Sequence, residues 1–316
     1  MKVEIKTPAR LHFGVLNPLD NKIRKYGGIG LAISEGGYNL TVRENDKLEV
    51  ESPEEYRSLT KEIVNKIGRS CDTSTKVSIK IDKVIPRHVG LGSTTQLTLG
   101  LGKAITLIEN LDISTTDLAK KLGRGKYSGV GTHAFDKGGF VGDGGVKNGG
   151  FPPLIFRHSV PKEWYFVVVI PDVERGPAEE GEERYMEGLE SEKGLPGQIC
   201  KLLILKMFPA IVQRDLEHFG SALTKVDKLV GEAFSHKQGG TFRDEVISRI
   251  RSYLLENGAY GAGQSSWGPT TYGLVCGKEE AKNLEKQVQS YLEEIGISGE
   301  TIITTPDNEG ATIAVR

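Results

Sequence analysis

The sequence predicts an α+β protein of two layered lobes. Three observations carry this: short β-prone runs fill the first third, helical spacing dominates about 178–257, and the tail alternates strand and helix again. At roughly 100–200 residues per domain, a chain of 316 residues suits two domains. The boundary is placed between 165 and 166, giving lobes of 1–165 and 166–316.

Lys2–Lys6, Tyr38–Arg43, Lys47–Val50 and Lys76–Ile81 read as strands. Residues 53–67 open with Pro53 and early acids, and Tyr56, Leu59, Ile63, Val64 and Ile67 recur at helical spacing. A second helix is expected over Ser93–Glu109. A third at 114–122 begins with Ser114 three residues before Asp117, a capping arrangement. Residues 123–153 hold eleven glycines, yet Phe135, Phe140, Val141 and Val146 are interleaved, which predicts an ordered, tightly turned segment instead of a linker. Trp164–Ile170 reads as a buried strand ended by Pro171. Helices follow at 179–190, 198–208, 209–235 and 242–257; Glu179, Glu180, Glu182 and Glu183 read as the acidic first turn of a solvated helix. Thr271–Cys276 is a predicted strand, 278–294 a helix, and Thr301–Thr304 and Ala311–Val315 are strands.

Composition narrows the function classes. With 41 basic and 42 acidic residues, the net charge of −1 gives no broad footprint for nucleic acid or an anionic membrane. Cys71, Cys200 and Cys276 are odd in number and widely spaced, which argues against a disulfide framework or a thiolate zinc site. The six histidines show no i, i+4 pair. The first residues alternate like a strand without a signal-peptide core, and apolar runs such as Trp164–Ile170 fall far short of a bilayer span. A soluble, cytoplasmic protein is expected. Glycine is the outlier: 40 residues, without a collagen period, imply tight turns and backbone-lined sites.

The most informative stretch is Ile85–Leu97, IPRHVGLGSTTQL. Pro86 stiffens a turn, Gly90 and Gly92 permit backbone conformations closed to other residues, and a helix begins near Ser93. Such a loop aims backbone N–H groups and a helix N-terminus at one spot, which suits a phosphate or pyrophosphate. Ser93, Thr94 and Thr95 add hydroxyls for phosphate oxygens or a magnesium ion. The spacing matches neither the Walker loop nor the dinucleotide fingerprint. Arg10 and His12 alternate on one strand and so share a face; arginine grips phosphate or carboxylate bidentately, and a histidine donates to either. Lys22, Arg24 and Lys25 form a small basic cluster, a solvated loop by default in which any one of the three is a candidate phosphate holder. His133, Asp136 and Asp143 are candidate site groups in the glycine-rich segment, and Gly261–Ser266 is a second candidate anion nest, with Trp267 beside it to flank an aromatic substrate or to pack.

The loop PRHVGLGST resembles the P-x-x-x-G-L-G-S-S loop of the galactokinase, homoserine kinase, mevalonate kinase and phosphomevalonate kinase (GHMP) superfamily. Thr7–Leu11 resembles that superfamily's first motif, and Gly261-Ala262-Gly263 its third, so the resemblance runs end to end. It implies a ribosomal-S5-like N-terminal domain, a ferredoxin-like C-terminal domain, and a cleft between them. Several of these kinases carry S-G-x-D in the middle, whose carboxylate deprotonates the acceptor. Here the run is Ser128-Gly129-Val130-Gly131, and glycine cannot act as a base.

A narrower resemblance covers RLHFGVL (10–16), YGGIGLAI (26–33), residues 123–145 and residues 152–171. These stretches are similar to beta-ribofuranosylaminobenzene 5'-phosphate synthases, archaeal enzymes of methanopterin biosynthesis. The resemblance implies a decarboxylating pentosyltransferase that condenses 4-aminobenzoate with phosphoribosyl pyrophosphate, releasing pyrophosphate and carbon dioxide. Carried onto this chain, Arg10, His12, His133 and Asp143 are the candidate catalytic residues. Arg24, Arg87, Gly90, Leu91, Gly92, Ser93, Thr94, Thr95, Gly131, Thr132, Gly261 and Gly263 are the candidate phosphate and substrate contacts. Ser93 and Asp143 are candidate magnesium ligands, and a homodimer is a family expectation. Two alternatives stand beside this: an ATP-dependent small-molecule kinase, and a non-catalytic anion-binding protein of the same fold.

Overall fold

The computed structural model describes residues 1–17, 23–176, 194–238, 240–242 and 244–316. Lys22 and the Glu179–Glu183 run lie outside them. The first sheet contains β1 (Lys2–Lys6), β4 (Asn39–Glu44), β5 (Glu49–Glu51), β6 (Val77–Lys83) and β13 (Thr312–Val315), in the order β13–β1–β4–β6–β5. A second contains β2 (Ala9–Asn17), β3 (Tyr26–Ile33), β7 (Phe140–Asp143) and β8 (Leu154–His158), paired in chain order. The third orders β10 (Gly261–Gln264), β11 (Thr271–Cys276), β9 (Trp164–Pro171) and β12 (Gly299–Thr304) side by side.

Helices cover these sheets because their apolar spacing leaves one face dry. α1 (Glu54–Cys71) buries Tyr56, Ile63, Val64 and Ile67, four of the five positions its periodicity singles out. α2 (Ser93–Ile108) is buried along nearly its whole length. α3 (Thr115–Lys121) begins as the capping pattern requires, with the Ser114 hydroxyl accepting from the Asp117 N–H. The glycine-rich segment is ordered and contains α4 (Val130–Lys137) and β7. In the second lobe come α5 (Leu195–Leu202), a π-helical turn (Leu203–Met207), α6 (Phe208–Gln213), α7 (Leu216–Gln238), α8 (Glu245–Glu256) and α9 (Lys278–Glu294). The helix expected over 209–235 is broken at Arg214, which takes a left-handed conformation.

Two further expectations change. β13 pairs with β1, so the chain's last strand belongs to the first sheet and a single cut near residue 165 does not divide the lobes. The apolar core also runs through both: Phe13 of β2 stacks on Phe166 of β9 and packs at a tilt against Tyr272 of β11. Truncating such a residue costs about 3–5 kcal/mol. Leu195–Gln213 is long and apolar enough to cross a membrane by length and composition, unlike the shorter run Trp164–Ile170. Within it Leu203 and Met207 are buried, and Ile204, Leu205 and Val212 are exposed.

Candidate active site

Three segments far apart in sequence are hydrogen-bonded into one wall. The Arg10 N–H donates to the Leu91 carbonyl at 3.1 Å, and the Arg10 Nη1 donates to Gly90 O, tying β2 to the loop before α2. The loop after β10 joins both: Ser265 Oγ accepts from the His12 N–H (2.9 Å) and donates to Gly90 O (2.7 Å), while the Ser266 N–H donates to His12 O. A Cβ at Gly90 would lie 2.1 Å from Ser265 O, so the loops meet backbone to backbone. The three sequence motifs therefore form one structural unit.

Two cavities open on this wall. The smaller, about 90 Å³, is lined by the loop from Gly90 to Thr95 together with Arg10, His88 and Trp267. No side chain caps α2, so the backbone N–H groups of its first turn have no partner within the helix. Gly92 holds φ +84°, and a Cβ there would stand 3.0 Å from Arg10 Cγ and 3.3 Å from its Nε. Glycine thus lets the guanidinium stem lie across the loop. The larger cavity, about 370 Å³, shares Arg10, Thr95, Ser266 and Trp267 with the smaller. Its apolar walls come from Phe13, Val230, Phe234 and Phe242, and its polar groups include His12, Arg124, Lys126, Ser128 and Asp227.

His12 is held by a chain of donors. Asp143 Oδ2 accepts from the Gly129 N–H (2.8 Å) and from Ser128 Oγ (3.1 Å), and its Oδ1 accepts from the Gly145 N–H (2.9 Å). With its proton given to Asp143, Ser128 Oγ accepts from His12 Nε2 at 3.2 Å. Burial, and then the Arg10 charge, push the His12 pKa down to about 3, so the ring is neutral. Burial pushes the Asp143 carboxyl up, against its three donors. Asp143 reaches the cavity only through Ser128.

The chain matches the GHMP kinases N terminal domain over residues 58–140 and the GHMP kinases C terminal domain over 207–294. The beta-ribofuranosylphenol 5'-phosphate synthase of Methanocaldococcus jannaschii is 31% identical, over 98% of this chain and 99% of that protein. The chain belongs to this synthase family. The synthase of the same name from Archaeoglobus fulgidus is 29% identical over 99% of this chain and its own full length. Among solved structures, homoserine kinase from Cytophaga hutchinsonii superposes with a TM-score of 0.72 at 17% identity, covering 99% of this chain and 97% of that one. Mevalonate diphosphate decarboxylase from Enterococcus faecalis gives 0.69 at 15%, covering 99% of each. The GHMP fold expected from the sequence is the fold observed.

Within this family frame, the candidate residues separate into two groups. Arg10, His12, Gly90, Leu91, Gly92, Ser93, Thr94, Thr95 and Gly131 line one cavity or the other. The rest do not, and for identifiable reasons. Arg24 donates to the carbonyls of Gly144 and Gly145, bracing a turn. Arg87 lies outside both cavities, and its charge acts on the Tyr38 and Tyr56 phenols. His133 bonds through Nε2 to Pro152 O at 2.9 Å and packs edge-on against Phe151. Thr132 is buried on α4. Asp136 accepts from Thr115 Oγ1. Gly261 and Gly263 form no anion nest: they sit in β10, where a Cβ would strike Gly220 of α7 and the Tyr272 hydroxyl. The residues here that do line a cavity are Gln264 on the larger, Ser266 and Trp267 on both, and Gly268 on the smaller.

The expected magnesium ligands do not meet a metal's needs. Ser93 Oγ donates to Ile85 O and bonds to the Tyr38 hydroxyl at 2.6 Å, and Asp143 is spent on Ser128, Gly129 and Gly145. No Asp or Glu among the described residues lines the smaller cavity, and none of them form a cluster of three metal-binding side chains. The residues present do not fit a protein-held magnesium at this loop. Sequence reasoning passed over His88, Arg124, Lys126 and Asp227, all of which line a cavity.

Proposed function

We propose that this protein joins the anomeric carbon of phosphoribosyl pyrophosphate to the carboxylate-bearing ring carbon of a 4-substituted benzoate, releasing pyrophosphate and carbon dioxide. This makes it a decarboxylating pentosyltransferase of methanopterin biosynthesis. The acceptor expected from the sequence is 4-aminobenzoate; the relatives' product name carries a phenol, which corresponds to the hydroxyl counterpart. Both place a proton-bearing donor atom para to the carboxylate. The observation that carries the reading, beside the family relationship, is the joined pair of cavities. One is small, has no carboxylate among the described residues that line it, and is fronted by helix amides; the other is larger and aromatic-walled.

In this reading the diphosphate sits on the first turn of α2 with Arg10 over it. A helix N-terminus contributes roughly 0.3–1 kcal/mol to a bound anion, and each hydrogen bond to a charged group about 1.5–3 kcal/mol. Both interactions strengthen as the leaving diphosphate gains charge, so they favour C–O cleavage over mere binding. The ribose then faces the larger cavity, where Trp267 and the Phe234 edge border the space for a flat ring. Arg10, common to both cavities, stands where the acceptor carboxylate meets the anomeric carbon. Neutral His12, its Nε2–H held by Ser128 and Asp143, can only accept a further hydrogen bond, through Nδ1, and adds no charge.

The kinase alternative is weakened because Gly131 stands where several kinases of this fold carry a carboxylate base. A Cβ at Gly131 would stand 3.1 Å from Thr95 Cγ2, so Thr95 crowds the space a longer side chain there would need. The deciding experiment supplies magnesium, phosphoribosyl pyrophosphate and carboxyl-labelled 4-hydroxybenzoate or 4-aminobenzoate, with ATP and small alcohols in parallel. Labelled carbon dioxide released only with the sugar donor is the expected result. ATP turnover with an alcohol and no carbon dioxide would overturn the reading.

A further inference from the structure

Asp227 is the only carboxylate among the described residues that line the larger cavity. It projects from α7 in an otherwise apolar stripe formed by Leu223, Val226, Val230 and Phe234. Each of its two oxygens is held by one donor. Oδ1 accepts the Gln264 N–H at 2.8 Å, and Oδ2 accepts Arg251 Nε at 3.0 Å. Each oxygen keeps a second lone pair, and Gln264 lines the same cavity.

The cavity is therefore polarised. Arg10, at the junction with the smaller cavity, suits an anionic group; Asp227 suits a proton donor. A 4-hydroxy- or 4-aminobenzoate has this polarity, with carboxylate at one end and O–H or N–H at the other. Resting on the reaction proposed above, we infer that Asp227 is the general base that takes the proton from the acceptor's para hydroxyl or amine as the ring attacks the sugar.

The electron count closes. The para oxygen or nitrogen loses its proton to Asp227 Oδ and pushes electrons into the ring. The carboxylate-bearing carbon bonds to the anomeric carbon, and the C–O pair leaves with pyrophosphate. The dienone or imine intermediate then loses carbon dioxide, and the C–C pair restores the aromatic ring. Asp227 returns its proton to the para atom, so no proton is gained or lost overall. Burial, opposed by the Arg251 charge and the Gln264 N–H, raises the Asp227 pKa to about 7, a value suited to reversible transfer near neutral pH. The groups facing it are Arg251 and the Tyr272 hydroxyl, itself pushed up by burial and by the Asp227 charge.

The test uses Asp227→Asn in the full chain with two acceptors. One is 4-hydroxybenzoate; the other is 3,5-difluoro-4-hydroxybenzoate, assayed at a pH where its phenol is already ionised. With 4-hydroxybenzoate the variant loses about 100-fold or more in carbon dioxide release, while its affinity for phosphoribosyl pyrophosphate is kept. With the ionised acceptor the loss shrinks to under about 10-fold, because no proton remains to be taken. Equal losses on both acceptors, or none on either, would overturn the assignment. A wild-type protein that releases no carbon dioxide with either acceptor contradicts the underlying reaction instead. Asp227→Glu serves as a second variant: partial recovery with 4-hydroxybenzoate supports a base, and a loss matching that of Asp227→Asn opposes it.

Discussion

Replacing Gly92 by alanine adds one methyl group where the structure has room for none. At φ +84° an L residue costs roughly 1–2 kcal/mol, which at about 2–4 °C per kcal/mol lowers Tm by roughly 2–8 °C. The second effect falls on the ligand. The new Cβ would lie 3.0 Å from Arg10 Cγ and 3.3 Å from Nε, so the guanidinium stem must shift by a few tenths of an ångström away from the loop. Losing one charged hydrogen bond to the diphosphate removes about 1.5–3 kcal/mol, or roughly a 10- to 150-fold weaker affinity. Calorimetric titration with pyrophosphate and with phosphoribosyl pyrophosphate measures this, alongside a thermal melt. The mechanism makes a sharper demand through a double-mutant cycle. If the methyl acts by displacing Arg10, then Gly92→Ala and Arg10→Ala are not additive, since the second change removes what the first disturbs. Unchanged affinity in a folded Gly92→Ala protein would refute the reasoning. So would full additivity with Arg10→Ala.

Other predictions follow from the same geometry. Gly131→Asp lowers synthase activity at least about tenfold through the clash with Thr95 and leaves ATP turnover at background; ATP-dependent phosphorylation of an alcohol by this variant would contradict it. Trp267→Ala raises KM for the aromatic acceptor by roughly tenfold, as steady-state kinetics would show. His12 is buried neutral, with a folded pKa of about 3 against 6.5. The unfolded chain therefore binds the extra proton, and stability present above pH 6.5 is lost as pH falls, by up to about 1.4 kcal/mol per unit. Denaturant titrations from pH 7 to 4.5 measure this, and His12→Asn flattens the slope. Asp227 has the opposite sign: its folded pKa of about 7 lies above 3.8, so stability present below pH 4 is lost as pH rises through 7. Asp227→Asn gains on wild type between pH 5 and 8; a constant difference would contradict the raised pKa.

The phosphate loop was legible because its chemistry is local. Gly90, Gly92 and the uncapped start of α2 belong to one short stretch, and their conformational demands are written in residue type. The N-cap at Ser114 was legible for the same reason. What sequence could not convey was direction. Arg24, His133 and Asp143 sit beside motif residues in the chain, yet their side chains turn to backbone partners at Gly144, Pro152 and Gly129. Gly261 and Gly263 looked like a phosphate nest because glycine serves close helix packing as well as anion binding. The return of β13 to the first sheet is a long-range pairing that local propensity does not encode. Asp227 did leave a signal: a carboxylate inside the apolar face of α7, spaced three and four residues from Val230 and Leu223. Acids are rarely buried without a partner or a task, and that mismatch was the available clue.

The position of the diphosphate in a crystal of this protein with phosphoribosyl pyrophosphate tests the central claim most directly. The diphosphate is expected on the backbone N–H groups of Ser93, Thr94 and Thr95, with Arg10 beside it and the anomeric carbon facing the cavity that holds Asp227. A diphosphate bound away from this loop, or a sugar turned from the larger cavity, would contradict it.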